Sequence, residues 1–372
     1  MEVAKEIGSM TRIVIDARES GTTTGRYIDK LIEYLHELKP KYEIIVLTKT
    51  PRIEFIKTIA PGFEVIESNY KEFSFAEQLG LLGQVKRLKA DLVHFSMTQQ
   101  PVLYRGKTIT TIHDLTTTRF NNPSKNWLVF KFKQMVYRRV IKRVAKKSEV
   151  LITPSDYVKY DVAQFTKVLP SKISVTYEAA DEITDNPQSI DSLRNQKFIM
   201  YVGRPLPAKN LRRLVRTYSD LQLTHPQLKL VLVGKLDSNY QLLKNYVRRQ
   251  EISGVIFTDF VSEGQLRWLY EHAQAYVFPS LSEGFGLPGL EALAHGTALV
   301  SSRATCLPEI YKDAALYFDP MSTTDMTEKI KHVLENKELA TKLRQKGPKL
   351  AAEYSWQRMA QKTLEVYEAA LE

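Results

Sequence analysis

Cysteine is almost absent from this chain of 372 residues, which contains only Cys306. A single cysteine excludes an intrachain disulfide framework and is typical of a protein that works in a reducing cytoplasm. Long apolar runs are absent as well, because no stretch approaches the roughly 18–20 apolar residues of a transmembrane helix. The first ten residues have no apolar core of the kind that a secretory signal needs. We therefore expect a cytoplasmic protein built from globular domains.

Acidic residues are in deficit, since 42 Asp and Glu stand against 53 Lys and Arg, which gives a net charge of +11. The excess is concentrated between residues 125 and 147, where nine Lys or Arg occur without an acid. Such a balance favours phosphates, nucleic acid or an anionic membrane surface as partners. Nucleic acid is the least favoured of these and is not expected, because the chain has neither zinc-ligand cysteines nor an RNP aromatic motif.

The length and the order of predicted elements indicate two α/β domains. A chain of 372 residues exceeds one ordinary core. Apolar, β-branched runs such as 12–16 and 198–202 predict buried strands, and they alternate with segments of helical spacing such as 26–38. This alternation predicts parallel, doubly wound sheets, whose ligands gather at the carboxyl ends of the strands. His113 follows the predicted strand 108–112 and is therefore expected at such an edge.

One stretch, FPSLSEGFGLPGLE at residues 278–291, combines features of a binding loop. Glu283 and Glu291 lie eight positions apart in it, separated by a glycine-rich segment. Pro288 suits the first turn of a helix, where its missing N–H has no partner to lose. The glycines allow backbone N–H groups to approach a ligand closely, and the helix start favours anionic or polar oxygens. We expect both carboxylates to face one crevice.

This stretch resembles the EX7E signature of retaining GT-B glycosyltransferases, specifically glycosyltransferase family 4. The residues between and beside the two acids fit the signature as well as the acids do. The resemblance covers roughly residues 12–371 and implies an α/β fold of the GT-B type, with two Rossmann-like doubly wound domains facing across a cleft. The implied divisions are an acceptor-binding domain at 11–180, a linker at 181–196, a nucleotide-sugar-binding domain at 197–354 and a C-terminal helix at 355–372 that crosses back to the first domain.

The resemblance also implies a reaction. A hexose would pass with retention from a nucleotide diphosphate sugar, GDP-mannose or a UDP-sugar, to a glycan or lipid-linked acceptor. The segments at 177–181 and 313–320 look most like bacterial mannosyltransferases of polysaccharide assembly, which favours mannose. The sequence lacks the Asp-X-Asp pair that holds a metal-bound diphosphate in the other main glycosyltransferase fold. Neither a metal nor a cofactor is therefore expected.

The family's functional positions are then assigned residue by residue. Glu283 and His113 are the implied catalytic residues, with His113 contacting the sugar from the opposite domain. Arg204 and Lys209 lie five positions apart across a proline-containing loop, a spacing suited to gripping a diphosphate from two sides. Glu291 is expected to accept hydrogen bonds from the ribose. The other expected donor-binding positions are Gly203, Phe285, Gly286, Leu287, Phe260 and Val261.

Two further regions are expected in the first domain. Gly21 and Gly25 take the place of the family's usual glycine pair in a loop that approaches the diphosphate and the acceptor. The basic segment 125–147 has helical spacing, with Phe130, Tyr137, Ile141 and Val144 on one stripe and Lys131, Arg138 and Lys142 on another. A basic, aromatic helix suits an anionic membrane surface, which would place the protein peripherally at the inner face of the membrane. The other interpretation is a core helix with a solvated basic face.

Two other functional classes stay open at this stage. One is a GT-B enzyme of different chemistry, such as a nucleotide-sugar epimerase or a phosphorylase. An epimerase would turn over the donor without an acceptor and change its sugar. The other is a non-catalytic protein that binds an anionic surface or nucleic acid. Such a protein would bind nucleotide sugar poorly and show a steep dependence on salt.

Overall fold

The computed structural model describes residues 10–22, 24–121 and 127–372, and it places them in two α/β domains. The first domain contains a seven-stranded sheet and the second a six-stranded sheet. The strand pairs of both sheets are parallel, as in β1–β2 and β8–β9 below. The prediction of two doubly wound domains is confirmed.

The first domain alternates strands and helices along the chain. Its strands are β1 (Arg12–Asp16), β2 (Glu43–Thr48), β3 (Glu64–Glu67), β4 (Leu92–Phe95), β5 (Thr108–Thr111), β6 (Val150–Thr153) and β7 (Ile173–Val175). Its helices are α1 (Gly25–Leu38), α2 (Ile53–Ile59), α3 (Leu82–Arg87), α4 (Thr116–Arg119), α5 (Trp127–Lys147) and α6 (Asp156–Thr166). A π-helical turn at Glu77–Leu81 leads directly into α3.

The second domain repeats this alternation, and its last helix returns to the first domain. Its strands are β8 (Phe198–Val202), β9 (Lys229–Val233), β10 (Val255–Asp259), β11 (Ala275–Phe278), β12 (Leu299–Ser302) and β13 (Ala315–Phe318). The helices that follow are α7 (Leu211–Gln222), α8 (Ser238–Arg249), α9 (Glu263–His272), α10 (Leu287–Ala294), α11 (Leu307–Tyr311), α12 (Thr323–Glu335), α13 (Lys337–Ala351) and α14 (Trp356–Leu371).

The strand order places one crevice in each sheet. The order is β3-β2-β1-β4-β5-β6-β7 in the first sheet and β10-β9-β8-β11-β12-β13 in the second. The direction of winding reverses between β1 and β4, and again between β8 and β11. Crevices at such reversal points, at the carboxyl ends of the strands, are the usual ligand sites of these sheets. The chain leaves β8 at Gly203 and β11 at Pro279, so the predicted donor loops flank the reversal point of the second domain.

Helix α14 packs against α1 of the first domain. Trp356, Met359 and Tyr367 share a buried cluster with Leu31 and Leu35 of α1. The helix thereby ties the end of the chain to the core of the domain that begins it.

A buried histidine anchors α14 to the first sheet. The Tyr367 hydroxyl lies 2.6 Å from His94 Nδ1, and the Thr111 hydroxyl lies 2.8 Å from His94 Nε2. Burial, with a smaller effect from His113, lowers the pKa of His94 to about 3, so its ring is neutral at physiological pH. His94 therefore serves as a packed, hydrogen-bonded core residue.

Direct contacts join the two domains across the cleft. The Ser155 hydroxyl donates to the carbonyl of Gly284 at 2.7 Å, and the Thr116 and Ser282 hydroxyls lie 2.8 Å apart. The Glu309 carboxylate accepts the N–H groups at the start of α6, each at 2.8 Å. These amides would otherwise be unpaired, and a carboxylate at a helix start is stabilising. The carboxyl edges of the two sheets therefore face each other at close range.

Candidate active site

The loop between β11 and α10 brings the signature residues to the cleft. Strand β11 is fully buried, and the chain emerges from it at Pro279 to reach Glu283 four residues later. Helix α10 then begins at Leu287, with Pro288 in its first turn and Glu291 one turn further on. This is the strand, loop and helix arrangement that the sequence predicts.

Two glycines of this loop are required by their surroundings. Gly286 adopts φ +97°, and a Cβ there would overlap the Tyr311 hydroxyl, which donates to the Gly286 carbonyl at 2.6 Å. A Cβ on Gly284 would overlap the carbonyl oxygen of His113 in the first domain. Gly286 therefore permits a left-handed turn. Gly284 permits the two domains to approach each other.

Glu283 forms an ion pair with Lys209. Both carboxylate oxygens accept from Lys209 Nζ, at 2.6 and 2.8 Å, and Glu283 is only 9% exposed. The backbone of the loop is fixed by the Thr305 hydroxyl, which accepts a hydrogen bond from the Glu283 N–H at 3.1 Å. The structure thus brings together the expected catalytic acid and one of the two expected diphosphate cations.

Arg204 pairs with an acid that sequence reasoning did not single out. Its guanidinium donates to Asp237 at 2.8 and 3.1 Å, and its side chain is 55% exposed. Asp237 also caps α8 by accepting from the N–H groups of Asn239 and Tyr240. Burial alone would raise the pKa of Asp237, but the bonds from Arg204 and from these amides outweigh burial and lower it. Asp237 is therefore a charged partner that orients Arg204.

Glu291 is buried and is held from both domains. Tyr270 of α9 donates to its Oε2 at 3.2 Å, and Arg26 of α1 donates to its Oε1. Burial first, and then the charge of Glu291, raise the pKa of Tyr270 well above its ordinary value, so its hydroxyl keeps its proton. Arg26 is the second site residue that sequence reasoning missed. Its position beside the expected loop residue Gly25 was the available signal.

His113 lies at the carboxyl end of β5 with both ring nitrogens facing acceptors. Its Nε2 lies 3.1 Å from the Ser96 carbonyl oxygen and its Nδ1 lies 3.4 Å from the Glu178 carboxylate. Burial disfavours the charged ring, but the hydrogen bond and charge of Glu178 outweigh burial and raise the pKa of His113. Because a carbonyl and a carboxylate can only accept, this arrangement suits the doubly protonated ring. Glu178 is a third residue that sequence reasoning missed.

A cavity of about 700 Å³ opens beside His113 on the first-domain side of the cleft. It is lined by the ends of β4 and β5, by the loop at 71–74 and by Lys133 and Tyr137 of α5. Ser96, Thr98 and Thr111 are among the polar residues that line it, while Met97 and Phe73 add apolar surface. A cavity with these walls suits a hydroxyl-rich molecule.

The other expected donor positions lie around the same crevice, with different exposures. Phe260, which follows β10, is 85% exposed. The Phe285 ring, in contrast, is buried against Tyr354, with ring centres 5.5 Å apart. Phe285 therefore offers a ligand its backbone and uses its ring for packing. The remaining positions are placed as follows: Gly203 after β8 at φ +137°, Val261 half-buried beside Phe260, and Leu287 half-buried at the start of α10.

The glycines of the first loop have structural reasons of their own. Gly21 adopts φ +77°, and its N–H donates to Asp29 at 3.3 Å. A Cβ on Gly25 would overlap the carbonyl oxygen of Glu19, so the tight approach of α1 to β1 requires a glycine there. The intervening Thr23 lies outside the described residues.

The basic segment forms α5, as predicted. The predicted apolar stripe faces the protein, since Ile141 and Val144 are buried and Phe130 and Tyr137 are half-buried, and the predicted basic stripe is exposed. Other apolar side chains of α5 are exposed to solvent as well. These are Trp127, Leu128, Phe132, Met135 and Val136. Of the expected basic stripe, Lys131 is exposed, Arg138 donates to the Thr118 carbonyl, and Lys142 lies 5.1 Å from the centre of the Phe165 ring. The position of Lys125 lies outside the described residues.

Two absences apply to the described residues alone. Within 10–22, 24–121 and 127–372, no group of three or more His, Cys, Asp and Glu side chains is arranged to hold a metal ion. In the same ranges, no helix has both the length and the apolar character to span a membrane.

The two doubly wound sheets that face each other across a cleft define a protein of the GT-B class. The profile of glycosyltransferase family 4 matches residues 24–182, and that of the glycosyl transferases group 1 matches residues 182–350. The two profiles meet at residue 182 and together account for most of the chain. The chain belongs to the glycosyltransferases that these two profiles describe, those of family 4 and group 1.

Similar proteins of known activity support membership of this family. O-antigen chain mannosyltransferase B of Escherichia coli is 30% identical over 233 residues, which are 59% of this chain and 60% of that protein. MMP alpha-(1->4)-mannosyltransferase of Mycolicibacterium hassiacum is 30% identical over 235 residues, 62% of this chain and 56% of that protein. The matches thus span less than two thirds of the length of either relative.

A solved structure extends the similarity of fold to nearly the whole chain. Sucrose-phosphate synthase from Thermosynechococcus elongatus superimposes with a TM-score of 0.76 over 96% of this chain and 98% of that one. Its sequence is only 16% identical, so the match concerns the GT-B fold alone.

Proposed function

We propose that this protein is a retaining glycosyltransferase. It moves a hexose from a nucleotide diphosphate sugar to a glycan or lipid-linked acceptor. The observation that carries the proposal is the set of charged pairs at the reversal point of the second domain, Glu283 with Lys209 and Arg204 with Asp237. Mannose is favoured, with GDP-mannose as the donor, because the curated relatives named above are mannosyltransferases.

The diphosphate is assigned to the two cations. Arg204 and Lys209 come from one loop after β8, and each is paired with an acid of the second domain. An incoming diphosphate offers both cations more negative charge than one carboxylate does, and the backbone N–H groups at the start of α10 add further donors. Departure of the nucleotide is thereby stabilised by fixed positive charge, and we propose that no metal or cofactor takes part.

Glu283 is assigned to the donor sugar. When Lys209 turns to the diphosphate, the Glu283 carboxylate is released to accept hydrogen bonds from sugar hydroxyls. It lies on the diphosphate side of the loop, so it is poorly placed to attack the sugar carbon from the opposite face. Retention then follows if the acceptor enters on the face that the diphosphate leaves and gives its proton to the departing phosphate oxygen.

His113 is assigned an electrostatic role at the sugar from the first domain. Both ring nitrogens face protein acceptors, and Glu178 favours the protonated ring. A ring held in the protonated state contributes positive charge to the site and forms part of its wall. It has no free lone pair with which to accept a proton. The acceptor is assigned to the adjacent polar cavity of the first domain.

An exposed surface of the first domain supports a membrane-bound acceptor. Phe73 and Phe75 are exposed beside α5, and the Phe73 ring contacts Tyr137 of α5 with centres 5.6 Å apart. Lys131 and Lys133 of the same helix are exposed as well. Apolar side chains among basic ones suit the headgroup region of an anionic bilayer. We therefore propose peripheral attachment at the inner face of the membrane, in the cytoplasm.

Donor binding tests the proposal without knowledge of the acceptor. A thermal-shift panel of GDP-, UDP- and ADP-sugars is expected to give the largest shift with GDP-mannose, because a ligand at ~100 times its dissociation constant adds about 2.7 kcal/mol to native stability. Lys209→Ala and Arg204→Ala are expected to abolish that shift, and Arg248→Ala, on the far side of α8, serves as the control. A wild-type protein that no nucleotide sugar stabilises would contradict the proposal.

Membrane attachment is tested by liposome sedimentation. Wild-type protein is expected to bind anionic liposomes and to bind neutral ones weakly. Replacing Lys131 and Lys133 together by Glu is expected to release it, whereas reversing the exposed Arg248 and Arg249 of the second domain should not. Equal binding of the two double variants would show that α5 is only a solvated helix.

A further inference from the structure

The pair between Arg26 and Glu291 crosses the cleft between the two domains. Arg26 stands in the first turn of α1 in the first domain, and Glu291 lies in α10 of the second. The Arg26 side chain is 43% exposed while that of Glu291 is 10% exposed, so the arginine reaches from the cleft wall towards a nearly buried acid. The two residues are 265 positions apart, and their meeting depends on how the domains are placed.

The carboxylate of Glu291 is occupied at both oxygens. Tyr270 donates to one and Arg26 to the other. Under the proposed function, on which this inference rests, the same carboxylate receives the ribose hydroxyls of the donor. The two hydroxyls of a ribose bind a carboxylate best through both oxygens. Arg26 must therefore give up its place, or share it, when the donor enters.

The guanidinium end of the pair is accessible to a ligand, because the Arg26 side chain is 43% exposed. A guanidinium carries five N–H donors in a planar fork, a geometry that matches phosphate oxygens. Within the described residues, Arg26 donates through Nη1 to Glu291, so the fork keeps donors for a ligand. Under the proposed function, the diphosphate attached to the ribose is the anion that such a fork would bind.

We propose that Arg26 is a donor-binding residue supplied by the first domain. It donates to Glu291 in the structure, and it moves to the donor diphosphate when the ribose hydroxyls bind Glu291. Arg204 and Lys209 make the same exchange within the second domain, since each also rests on an acid. The arginine differs in reaching across the cleft, so its transfer couples donor binding to the contact between the domains.

The test compares ligands with and without the diphosphate. Calorimetry measures the affinities of GDP and guanosine, and of UDP and uridine, for wild type and Arg26→Gln. Loss of the charged contact is expected to weaken nucleoside diphosphate binding about tenfold or more, as removal of a charge-assisted bond does. Nucleoside binding should be unchanged or tighter, because the competitor for Glu291 is gone. Arg26→Lys keeps the charge and should retain most of the diphosphate affinity.

Arg12→Gln is the matched control. Arg12 pairs with Glu43 at 2.9 Å at the opposite end of the first sheet, so its loss tests the removal of an ion pair far from the cleft. Parallel losses for nucleoside and nucleoside diphosphate in Arg26→Gln, or no change in either, would overturn the inference alone. A wild-type protein that binds neither nucleoside diphosphate would instead overturn the proposed function, and the inference with it.

Discussion

At the scale of single residues, the cleft is a set of acids and cations that satisfy one another until a ligand arrives. Glu283 is nearly buried and holds Lys209, and Glu291 holds Arg26. A buried carboxylate without a partner is costly, so these pairs stabilise the site. The same pairs must open for the donor, which makes each residue a contributor to both stability and binding.

Substitution of the two signature acids should have separable kinetic effects. Glu283→Gln keeps the shape but removes charge at the donor sugar, so the barrier should rise by about 2–4 kcal/mol, roughly 30- to 1000-fold in kcat. The donor KM should be unchanged or lower, because Lys209 loses its competing acid. Glu291→Gln should chiefly raise the donor KM, since the ribose is remote from the reacting carbon. Steady-state kinetics of both variants would measure this, and equal defects would refute the division of roles.

The titration of His113 should depend on Glu178. In Glu178→Gln, burial is no longer outweighed, so the pKa of His113 should fall from above its ordinary value towards or below it. NMR titration of the ring protons would follow this directly. An unchanged pKa would show that Glu178 does not favour the charged ring.

The same pair sets the sign of a pH effect on stability. The raised pKa of His113 contributes stability that is fully present below the ordinary histidine pKa and is lost as pH rises through the raised value. Urea unfolding should therefore show that Glu178→Gln loses more free energy of unfolding at about pH 6 than at about pH 9. If the loss of unfolding free energy were equal at both pH values, Glu178 would stabilise the protein through packing and not through charge.

At the scale of elements, short loops at the carboxyl ends of β5, β8 and β11 carry the site, and glycines set how closely they approach. The sequence predicted the helix after Gly286 and the strand before Pro279 because propensity and spacing are local. It assigned both glycines to ligand contact, whereas the structure shows that Gly284 meets the backbone of His113 and Gly286 meets Tyr311. These partners come from distant segments, which no local pattern encodes.

Substitution of Gly284 should therefore affect the closed cleft more than the fold. In Gly284→Ala the new methyl group would overlap the His113 carbonyl, so the domains must separate slightly. The activity should fall while the thermal midpoint stays close to that of wild type. Ser282→Ala is a matched control on the same loop, because it removes one contact to Thr116 without adding bulk. Wild-type activity in Gly284→Ala would show that the closed approach is not needed.

At the scale of the whole molecule, two sheets face each other by their carboxyl edges and α14 ties the chain's end to its beginning. The division into two doubly wound domains was predictable, since buried apolar runs and amphipathic segments alternate along the whole chain. The pairs that close the cleft were not predictable from the sequence. Arg26 pairs with Glu291, and Glu309 pairs with the start of α6, and both contacts join the two domains. Their partners become neighbours only after both sheets have formed. The exposed apolar side chains of α5 were not predicted, because they belong to neither of the two stripes that the spacing of the helix defined.

The stereochemistry of donor breakdown tests the central proposal most directly, because it needs no acceptor. Incubated with GDP-α-mannose at high protein concentration, the protein should transfer mannose slowly to water. Proton NMR in the first minutes, before the sugar equilibrates, should show α-mannose appearing together with GDP, and Glu283→Gln should slow both. β-Mannose as the first product, or a nucleotide sugar with an altered hexose in place of free mannose, would contradict a retaining glycosyltransferase.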